Sequence, residues 1–326
     1  MAQGTSIVIP NYNGAGYYKK CLDSLRNQTL PPDRIIVVDN GSTDGSPEAI
    51  AREFPEVRLI RFTENTGFCG AVNAGIRASQ DEEFVILLNN DTWADPDFTA
   101  EMVRVMKKNE RIFSCQAKML KMENPNAIDD AGDYYCALGW AFAGGKGRSA
   151  EEYRRPKKIF SSCAGAAIYR MSLIKKIGMF DENHFAYLED TDIGWRARIY
   201  GYINVFAPRA HVLHVGSASS GSIYNFFKVL NTSRNSIYLI YKNMPGPQII
   251  LNLPFLIPGF LIKAAFFILK GFGKEYIQGI RQGFLLCEKG RVEGKKVPFR
   301  KEHMASYVQI QAELWINVIR RFSRRG

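Results

Sequence analysis

The first hundred residues alternate short apolar runs with amphipathic stretches, and no other feature of the chain constrains its fold as strongly. Runs typical of buried strands lie at residues 6–10, 34–38, 57–62 and 84–88. Stretches with helical spacing of apolar residues lie between them, at 16–26, 47–54 and 65–79. Strands and helices that alternate at this length predict an α/β fold, with a doubly wound, mostly parallel sheet and right-handed crossovers.

The fourth of these strands ends in the clearest site signal. Residues 83–88 run straight into Asn89, Asn90, Asp91 and Thr92. Ligands of open α/β sheets bind at the carboxyl ends of the strands, and an aspartate flanked by amide oxygens suits a hard cation such as Mg²⁺ or Mn²⁺. A polar turn after a strand would use the same residues without any ligand. The motif alone therefore does not distinguish a cation site from a polar turn, and support for a site comes from residues further along the chain.

The alternation lapses in the middle of the chain. Residues 121–160 are polar and rich in glycine and asparagine, which predicts a long irregular insertion. Regular signals resume at residue 164, and a strand at 203–207 leads to His211 and His214. Because no cysteine lies nearby to complete a zinc site, we interpret His214 as a single imidazole that completes an oxygen-rich metal site.

Three carboxylates lie within four residues at Glu189, Asp190 and Asp192. One interpretation is the acidic first turn of a helix, in which Asp192 pairs with Arg196 one turn later. The other is a general base, because crowded carboxylates raise the pKa of one of their number toward usable basicity. The local sequence leaves both interpretations open.

Positive charge is concentrated at one end of the chain. The 326 residues include 43 Lys and Arg against 32 Asp and Glu, a net charge of +11. Residues 242–326 alone hold 15 of the basic and 5 of the acidic residues. Such a region can bind nucleic acid, an acidic partner or an anionic membrane. Its aromatic residues sit in an apolar block and are not interleaved with basic ones, which favours lipid and argues against nucleic acid.

That apolar block, Ile249–Leu269, has only Asn252 and Lys263 as strongly polar residues. It is long enough to span a bilayer, but Pro254, Pro258 and Lys263 argue against a plain spanning helix. Basic residues on both flanks favour the cytosolic side. We expect the block to dip into or lie on the inner face of the membrane and return. The alternative is a helical hairpin buried against the catalytic domain or a second subunit.

Two further features bear on location. The six cysteines have no paired spacing, so they are expected to be free thiols of a reducing compartment. The residues before the first strand lack the charged and apolar parts of a secretory leader. Both features favour a cytoplasmic protein, peripheral at the inner face of the cell membrane.

Five motifs in this order resemble those of the inverting GT-A glycosyltransferases of family 2, in particular the bacterial rhamnosyltransferase-like group. They lie at residues 6–13, 38–44, 65–75, 88–92 and 180–192. Five motifs in order are far more specific than any one alone. The resemblance covers roughly residues 5–245. It implies a GT-A catalytic domain at 1–245, with a nucleotide-sugar half at about 1–120 and an acceptor half at about 121–245. An apolar and basic helical region follows at 246–326.

The resemblance also implies roles for individual residues. Asp91 falls at the metal-binding carboxylate of the DxD motif, and His214 at a histidine that contacts metal or diphosphate. Asn89 stands where the family has the first aspartate of DxD, so a second carboxylate ligand is missing there. Asp39 falls where the family contacts the nucleobase or ribose. The full set of implied donor contacts is Pro10, Asn11, Tyr12, Asp39, Asn65, Gly67, Phe68, Asn73, Asn89 and Asn90.

Asp190 aligns with the catalytic base of the family, and Glu189, Trp195 and Arg196 with the acceptor and phosphate side. The implied reaction is inverting transfer of one sugar, rhamnose from dTDP-rhamnose, to a lipid-linked or polysaccharide acceptor with Mg²⁺ or Mn²⁺. Absence of a QxxRW motif and of several spanning helices predicts a non-processive enzyme. The alternatives are a UDP-sugar-dependent transferase of the galactose or N-acetylglucosamine type and a catalytically inactive nucleotide-sugar-binding protein. A homodimer is a further alternative for the state of the protein in solution.

Overall fold

A computed structural model describes residues 4–216 and 224–323. Its strands are β1 (Thr5–Asn11), β2 (Arg34–Asn40), β3 (Arg58–Phe62), β4 (Phe84–Leu88), β5 (Thr92–Ala94), β6 (Ile112–Lys121), β7 (Asn124–Asp130), β8 (Asp133–Cys136), β9 (Trp140–Ala143), β10 (Lys157–Ile159), β11 (Ala166–Arg170) and β12 (Ile203–His214). Its α-helices are α1 (Tyr18–Arg26), α2 (Ser46–Glu53), α3 (Gly67–Ala78), α4 (Phe98–Met106), α5 (Met171–Ile177), α6 (Glu189–Ile199), α7 (Phe226–Asn243), α8 (Gly246–Leu269), α9 (Gly273–Val292) and α10 (Met304–Phe322).

A 10-stranded sheet runs through the molecule in the order β10-β12-β6-β11-β4-β1-β2-β3, with β5 and β7 paired to β12 and β6. Strands β4, β1, β2 and β3 are parallel neighbours, as the alternation predicts. Antiparallel β11 then pairs Ala166 with Leu88, so the residues before β11 meet the carboxyl end of β4. This mixed, mostly parallel α/β sheet confirms the predicted fold class.

Two apolar clusters cover the two faces of the sheet. One packs α1, α2 and α4 on one face, and the other packs α3, α5 and α6 on the opposite face. The alternating side chains of β4 divide between them, so Ile86 and Leu88 join the first cluster while Val85 and Leu87 join the second. A strand apolar on both faces is what a doubly covered sheet requires.

The expectation of an irregular insertion at 121–160 is wrong. This stretch forms β7, β10 and the hairpin of β8 and β9. It looks irregular in sequence because its polar side chains line a cleft while Tyr134 and Tyr135 are buried in a third cluster. Strand β12 is also longer than predicted and continues to His214 after a register shift between Ala207 and His211.

The apolar block forms one continuous helix, α8, and does not turn back at Pro254 and Pro258. Among the described residues it is the one helix long and apolar enough to cross a membrane. Its contacts with the protein nevertheless run along nearly its whole length, from the Asn252–Gln311 amide pair to buried Phe267. Packing against the rest of the protein, the alternative to a membrane contact, is thus observed on one face of α8 only and without a turn inside the block.

The last helix shares a core with the β8–β9 hairpin and with α6. Tyr307, Ile310 and Leu314 of α10 belong to the same cluster as Tyr135 and Trp195. The side chain of Asn317 donates a hydrogen bond to the carbonyl of Tyr135 at 2.8 Å. The change in sequence character at residue 246 therefore does not separate two independent cores.

Candidate active site

A buried polar network joins the carboxyl ends of β1, β2 and β4. The amide nitrogen of Asn11 donates to Oδ1 of Asp39 at 3.0 Å, and Asn90 donates to the oxygen of Asn11 at 2.9 Å. Asp39 is almost fully buried and its second oxygen accepts the backbone N–H of Ser42 at 3.2 Å. These side chains hold the strand ends in place. Tyr12 is exposed beside them, and Pro10 is half-buried.

Asn40, which the sequence motifs did not single out, shapes the turn before α3. Its amide donates to Oδ1 of Asn65 at 2.9 Å and to the carbonyl of Gly67 at 3.0 Å. Gly67 has a φ of +79°, and a Cβ atom there would lie 2.6 Å from Phe185. The exposed Asn65 and the half-buried Phe68 thus reach the cleft from a turn that requires glycine.

Asn73 does not contact this cleft, contrary to its expected role in donor binding. Its amide donates to the carbonyl of Phe180 at 2.8 Å and to Glu182 at 2.9 Å, and its oxygen accepts the N–H of Phe180 at 3.1 Å. It is almost fully buried on α3. The amide therefore fastens α3 to the segment that leads into α6.

Asp91 and His214 meet, as the metal interpretation requires. Strand β5 pairs with β12 in a register that sets Thr92 opposite His214, and Nε2 of His214 lies 3.4 Å from Oδ1 of Asp91. The other ring nitrogen, Nδ1, lies 2.7 Å from Asp129 on β7. Lys146 also pairs with Asp129, at 3.2 Å.

The carboxylates on both sides of His214 favour the protonated, positively charged form of its ring. Burial lowers the pKa of His214, but its hydrogen bonds to Asp129 and Asp91 outweigh that effect and raise the pKa to about 9. Burial raises the pKa of Asp129, but its bond to His214 and its charge pair with Lys146 lower it to about 2. Carboxylate oxygens and one imidazole nitrogen form a donor set that Mg²⁺ or Mn²⁺ accepts. The residues present therefore fit a divalent cation.

Asn89, which stands where the family has the first aspartate of the DxD motif, lies directly at the end of β4. Its N–H donates to the carbonyl of Gly165 at 2.9 Å, and its own carbonyl accepts the Thr92 hydroxyl at 2.7 Å. The backbone of Asn89 thus ties the end of β4 to the loop before β11. Its half-buried side chain lies beside Gly165, where a Cβ atom would be 3.1 Å from the amide nitrogen.

A second group of carboxylates surrounds Asp190 at the start of α6. Burial raises the pKa of Asp190, although hydrogen bonds from the N–H of Thr191 and from Asp133 oppose that rise. Burial, followed by the charges of Asp130 and Asp190, raises the pKa of Asp133 well above its usual range. The raised pKa favours the protonated form of Asp133. Burial together with the charge of Asp190 raises the pKa of Glu189 in the same way.

The two groups of carboxylates meet at β7. Asp129 contacts His214, while its neighbour Asp130 accepts the Gln116 amide at 2.8 Å and the N–H of Gly132 at 2.8 Å. Ligand atoms of Asp130, Asp133 and Cys163 lie within 4.8 Å of one another. Burial raises the pKa of Asp130 to about 6, so this carboxylate binds a proton more readily than an exposed aspartate does. The sequence analysis missed Asp129, Asp130 and Asp133, although three aspartates in five residues of a polar insertion are a usable signal.

The helix-start interpretation of the acidic run is confirmed for Asp192, which pairs with Arg196. Asp192 is fully buried and accepts Arg196 at 3.0 Å, Lys242 at 2.9 Å and Asn243 at 2.8 Å. These partners lower the pKa of Asp192 against the opposing effect of burial. Asp192 therefore anchors α6 to α7, and Asp190 is the member of the run that faces the other carboxylates.

Trp195 and Arg196 do not lie on an acceptor or phosphate surface, which corrects the roles implied by the resemblance. Trp195 is fully buried, with its ring 5.0 Å from Tyr135 and 5.2 Å from Phe160. The guanidinium of Arg196 donates to the carbonyls of Ile177, Gly178 and Met179 at 2.8 to 3.0 Å. Both side chains hold the core together and have no free surface for a substrate.

Carboxylates and a histidine gathered at the carboxyl ends of the strands of such a sheet resemble the arrangement of the GT-A glycosyltransferases. The sequence model of the family described as "Glycosyl transferase family 2" matches residues 6–178, which is more than half of the chain. The chain belongs to glycosyltransferase family 2.

Individual relatives agree with this assignment. An N-acetylglucosaminyl-diphospho-decaprenol L-rhamnosyltransferase of Mycobacterium tuberculosis (strain ATCC 25618 / H37Rv) is 26% identical over 239 residues, 66% of this chain and 77% of the relative. The structure of S. aureus TarS 1-349 in complex with UDP-GlcNAc has a TM-score of 0.59 at 16% identity, over 96% of this chain and 89% of that one.

A third similar protein has a metal ion in its structure. GalNAc-T7 with UDP, GalNAc and Mn²⁺ has a TM-score of 0.59 at 16% identity and covers 74% of this chain. This chain spans 48% of that one, about half of its length. At such identities these two likenesses show the shared fold alone.

Proposed function

We propose that this protein is an inverting, non-processive glycosyltransferase that moves one rhamnose from dTDP-rhamnose to a lipid-linked or polysaccharide acceptor. The observation that carries the proposal is the group of carboxylates around Asp190, which is linked to the Asp91–His214 pair through Asp129 and Asp130 of β7. The choice of sugar rests on the M. tuberculosis relative, which is named a rhamnosyltransferase and acts on N-acetylglucosaminyl-diphospho-decaprenol. A similar lipid-linked glycan is the acceptor we propose here.

In this reaction Asp190 takes the proton of an acceptor hydroxyl. The hydroxyl oxygen then forms a bond to the anomeric carbon from the face opposite the leaving group, and the bond from that carbon to the nucleoside diphosphate breaks. One displacement inverts the configuration and requires no enzyme nucleophile. Burial keeps the pKa of Asp190 raised, which makes Asp190 a better base than an exposed aspartate.

The donor side is assigned to residues at the ends of β1, β2 and β4 and to the turn before α3. Tyr12 and Phe68 offer aromatic surface, and Asn65, Asn89 and Asn90 offer amides, around the rigid Asn11–Asp39 pair. Asp91 and His214 would hold a divalent cation, with Asp129 fixing the histidine ring. When bound, this ion neutralises the charge of the departing diphosphate.

A donor screen tests the proposal. The protein is incubated with dTDP-rhamnose, UDP-galactose or UDP-N-acetylglucosamine, with Mg²⁺ or Mn²⁺ and octyl β-N-acetylglucosaminide as acceptor. We expect release of nucleoside diphosphate with dTDP-rhamnose and a product of inverted anomeric configuration by NMR. Turnover with a UDP-sugar alone would select the alternative donor, and a retained configuration would overturn the mechanism.

Replacing Asp91 by alanine is expected to abolish activation by Mg²⁺ or Mn²⁺ and to weaken donor binding. Asp129→Asn, which leaves the cation ligands in place but loosens the histidine, should weaken metal affinity by roughly 10- to 100-fold. Titration calorimetry of dTDP-rhamnose at several metal concentrations measures both effects. Wild-type activity in excess chelator would contradict the metal assignment.

We also propose that α8 and α10 attach the protein to the inner face of a membrane. The face of α8 turned away from the protein is apolar, and α10 continues it; its exposed members are Ile250, Leu251, Leu253, Ile257, Leu261, Ile262, Ile268, Leu269, Val308, Ile316, Ile319 and Phe322. Exposed Lys270, Lys274 and Arg281 lie beyond the end of α8 and suit anionic headgroups. Arg324 and Arg325 of the basic region lie outside the described residues.

Full-length protein is expected to float with vesicles that contain phosphatidylglycerol and less well with pure phosphatidylcholine. Replacing both Ile257 and Leu261 by glutamate should abolish flotation, since both are more than half exposed and contribute apolar area to the lipid contact. Leu30→Glu, at an exposed site on the catalytic domain, is the control.

Two outcomes would overturn the membrane proposal. Protein that stays unbound and monomeric leaves the apolar face without a lipid role. A dimer in light scattering that the Ile257→Glu and Leu261→Glu pair converts to a monomer assigns the face to a second copy of the chain.

A further inference from the structure

The segment that leads into the catalytic helix has an unusual backbone. Phe185, Tyr187 and Leu188 all have positive φ, at 61°, 72° and 67°. Phe185 also has a ψ of −64°, and the N–H of Ala186 donates to the carbonyl of His184 at 2.7 Å, which makes a γ-turn of the rare, strained kind. Non-glycine residues in such conformations persist only where surrounding structure enforces them, and they cluster at functional sites.

One buried side chain enforces this conformation. The amide of Asn235 on α7 donates to the carbonyls of His184, Ala186 and Tyr187 at 2.9, 2.9 and 2.7 Å. Arg234 donates to the His184 carbonyl as well, at 2.7 Å. On the donor side, the carbonyl of Phe185 accepts the N–H of Cys69 at 3.2 Å. The strained turn is therefore fixed between α7 and the glycine turn of the donor site.

The result is a group of aromatic rings next to Asp190. The ring of Phe227 lies 6.1 Å from Phe185 and 6.0 Å from Tyr187, both in edge contact. Phe226 and Phe227, which begin α7, are 55% and 42% exposed. Leu188 and Glu189 alone separate Tyr187 from Asp190 along the chain. We call Phe185, Tyr187, Phe226 and Phe227 the aromatic platform.

We propose that the aromatic platform binds the pyranose ring of the acceptor, so that the hydroxyl to be glycosylated lies at Asp190. This inference rests on the proposed function and gives the acceptor a surface that Trp195 and Arg196 do not supply. Pyranose rings carry a face of C–H bonds that packs on aromatic rings, while their hydroxyls stay free for polar partners. A platform of two exposed and two half-buried rings, close to Asp190 in sequence, fits such a ligand better than it fits a charged diphosphate.

Binding of octyl β-N-acetylglucosaminide tests the inference without any need for turnover. Phe227→Ala should raise the dissociation constant of this probe by roughly 2- to 12-fold, the range that one aromatic contact supplies. Phe226→Ala should act in the same direction. Because Phe227 and not Phe226 packs against Phe185 and Tyr187, this second variant guards against misfolding of the first. Phe227→Tyr should restore binding, and the affinity for dTDP-rhamnose should stay unchanged throughout.

Phe284→Ala on α9 is the matched control, because that ring is 60% exposed and lies outside the platform. The inference is wrong if wild-type protein does not bind the probe at millimolar concentration, or if both alanine variants bind it as well as wild type does. A parallel loss of dTDP-rhamnose affinity would move the platform to the donor. Probe binding that depends on Phe227, in a protein that transfers no sugar, would keep the platform and refute the proposed function.

Discussion

Asp190→Asn is expected to lower the rate of sugar transfer by roughly 100- to 10,000-fold, the contribution of a general base. The amide has the size of the carboxylate but cannot accept the proton of the acceptor hydroxyl. Donor binding should change little, because the donor contacts belong to β1, β2, β4 and the turn before α3. Single-turnover transfer and calorimetric titration of dTDP-rhamnose separate the two effects.

Glu189→Gln and Asp133→Asn are the matched variants for this prediction. Glu189→Gln should retain transfer, whereas Asp133→Asn should raise the pH at which the rate rises, because an amide is a weaker donor for the hydrogen bond that lowers the pKa of Asp190. If Asp190→Asn turns over near the wild-type rate while Glu189→Gln is inactive, the base is Glu189.

Asp192→Asn, two residues along the same helix, is expected to lower the free energy of unfolding by about 3–5 kcal/mol. Asp192 is fully buried, and its loss leaves Arg196 without a carboxylate partner and Lys242 with Asp181 alone. Denaturant unfolding of the two asparagine variants side by side measures the contrast. Equal stability of Asp190→Asn and Asp192→Asn would contradict the assignment of Asp192 as an anchor.

The anchor also sets a pH dependence. Because the folded state holds the pKa of Asp192 below that of an unfolded aspartate, its contribution is complete above about pH 4. It is lost as the pH falls through the folded-state pKa. Wild-type protein should therefore lose stability in acid more steeply than Asp192→Asn does.

Local sequence was sufficient for the parallel strands β1 to β4 and for the position of Asp91. The strand before Asn89 is apolar on both faces, and its polar end follows directly, so position along the chain alone places Asp91 at the sheet edge. Asp190 and Asp192 lie about 200° apart around a helix, so they face opposite sides. The sequence does not say which side is the cleft, because only packing of α6 on α7 decides that.

The remaining site residues depend on contacts between distant parts of the chain. Asp129 and Asp130 lie on a strand that pairs with β6, and Asp133 begins a hairpin that packs against α10. Because these distant contacts stabilise the strands, the sequence of the insertion itself carries no periodic apolar pattern. Asn73, Trp195 and Arg196 were misassigned for a related reason, since a motif gives the position of a residue and not the face on which it is buried.

Because the β8–β9 hairpin shares a core with α10, the order of synthesis determines when this part of the site can form. Tyr135 and Asn317 are 182 residues apart in the chain. The β8–β9 hairpin that carries Asp133 therefore lacks its packing partner until α10 has left the ribosome. Helix α8, for which we propose a contact with lipid, emerges earlier. On that proposal a nascent chain reaches the bilayer before its proposed catalytic centre is complete.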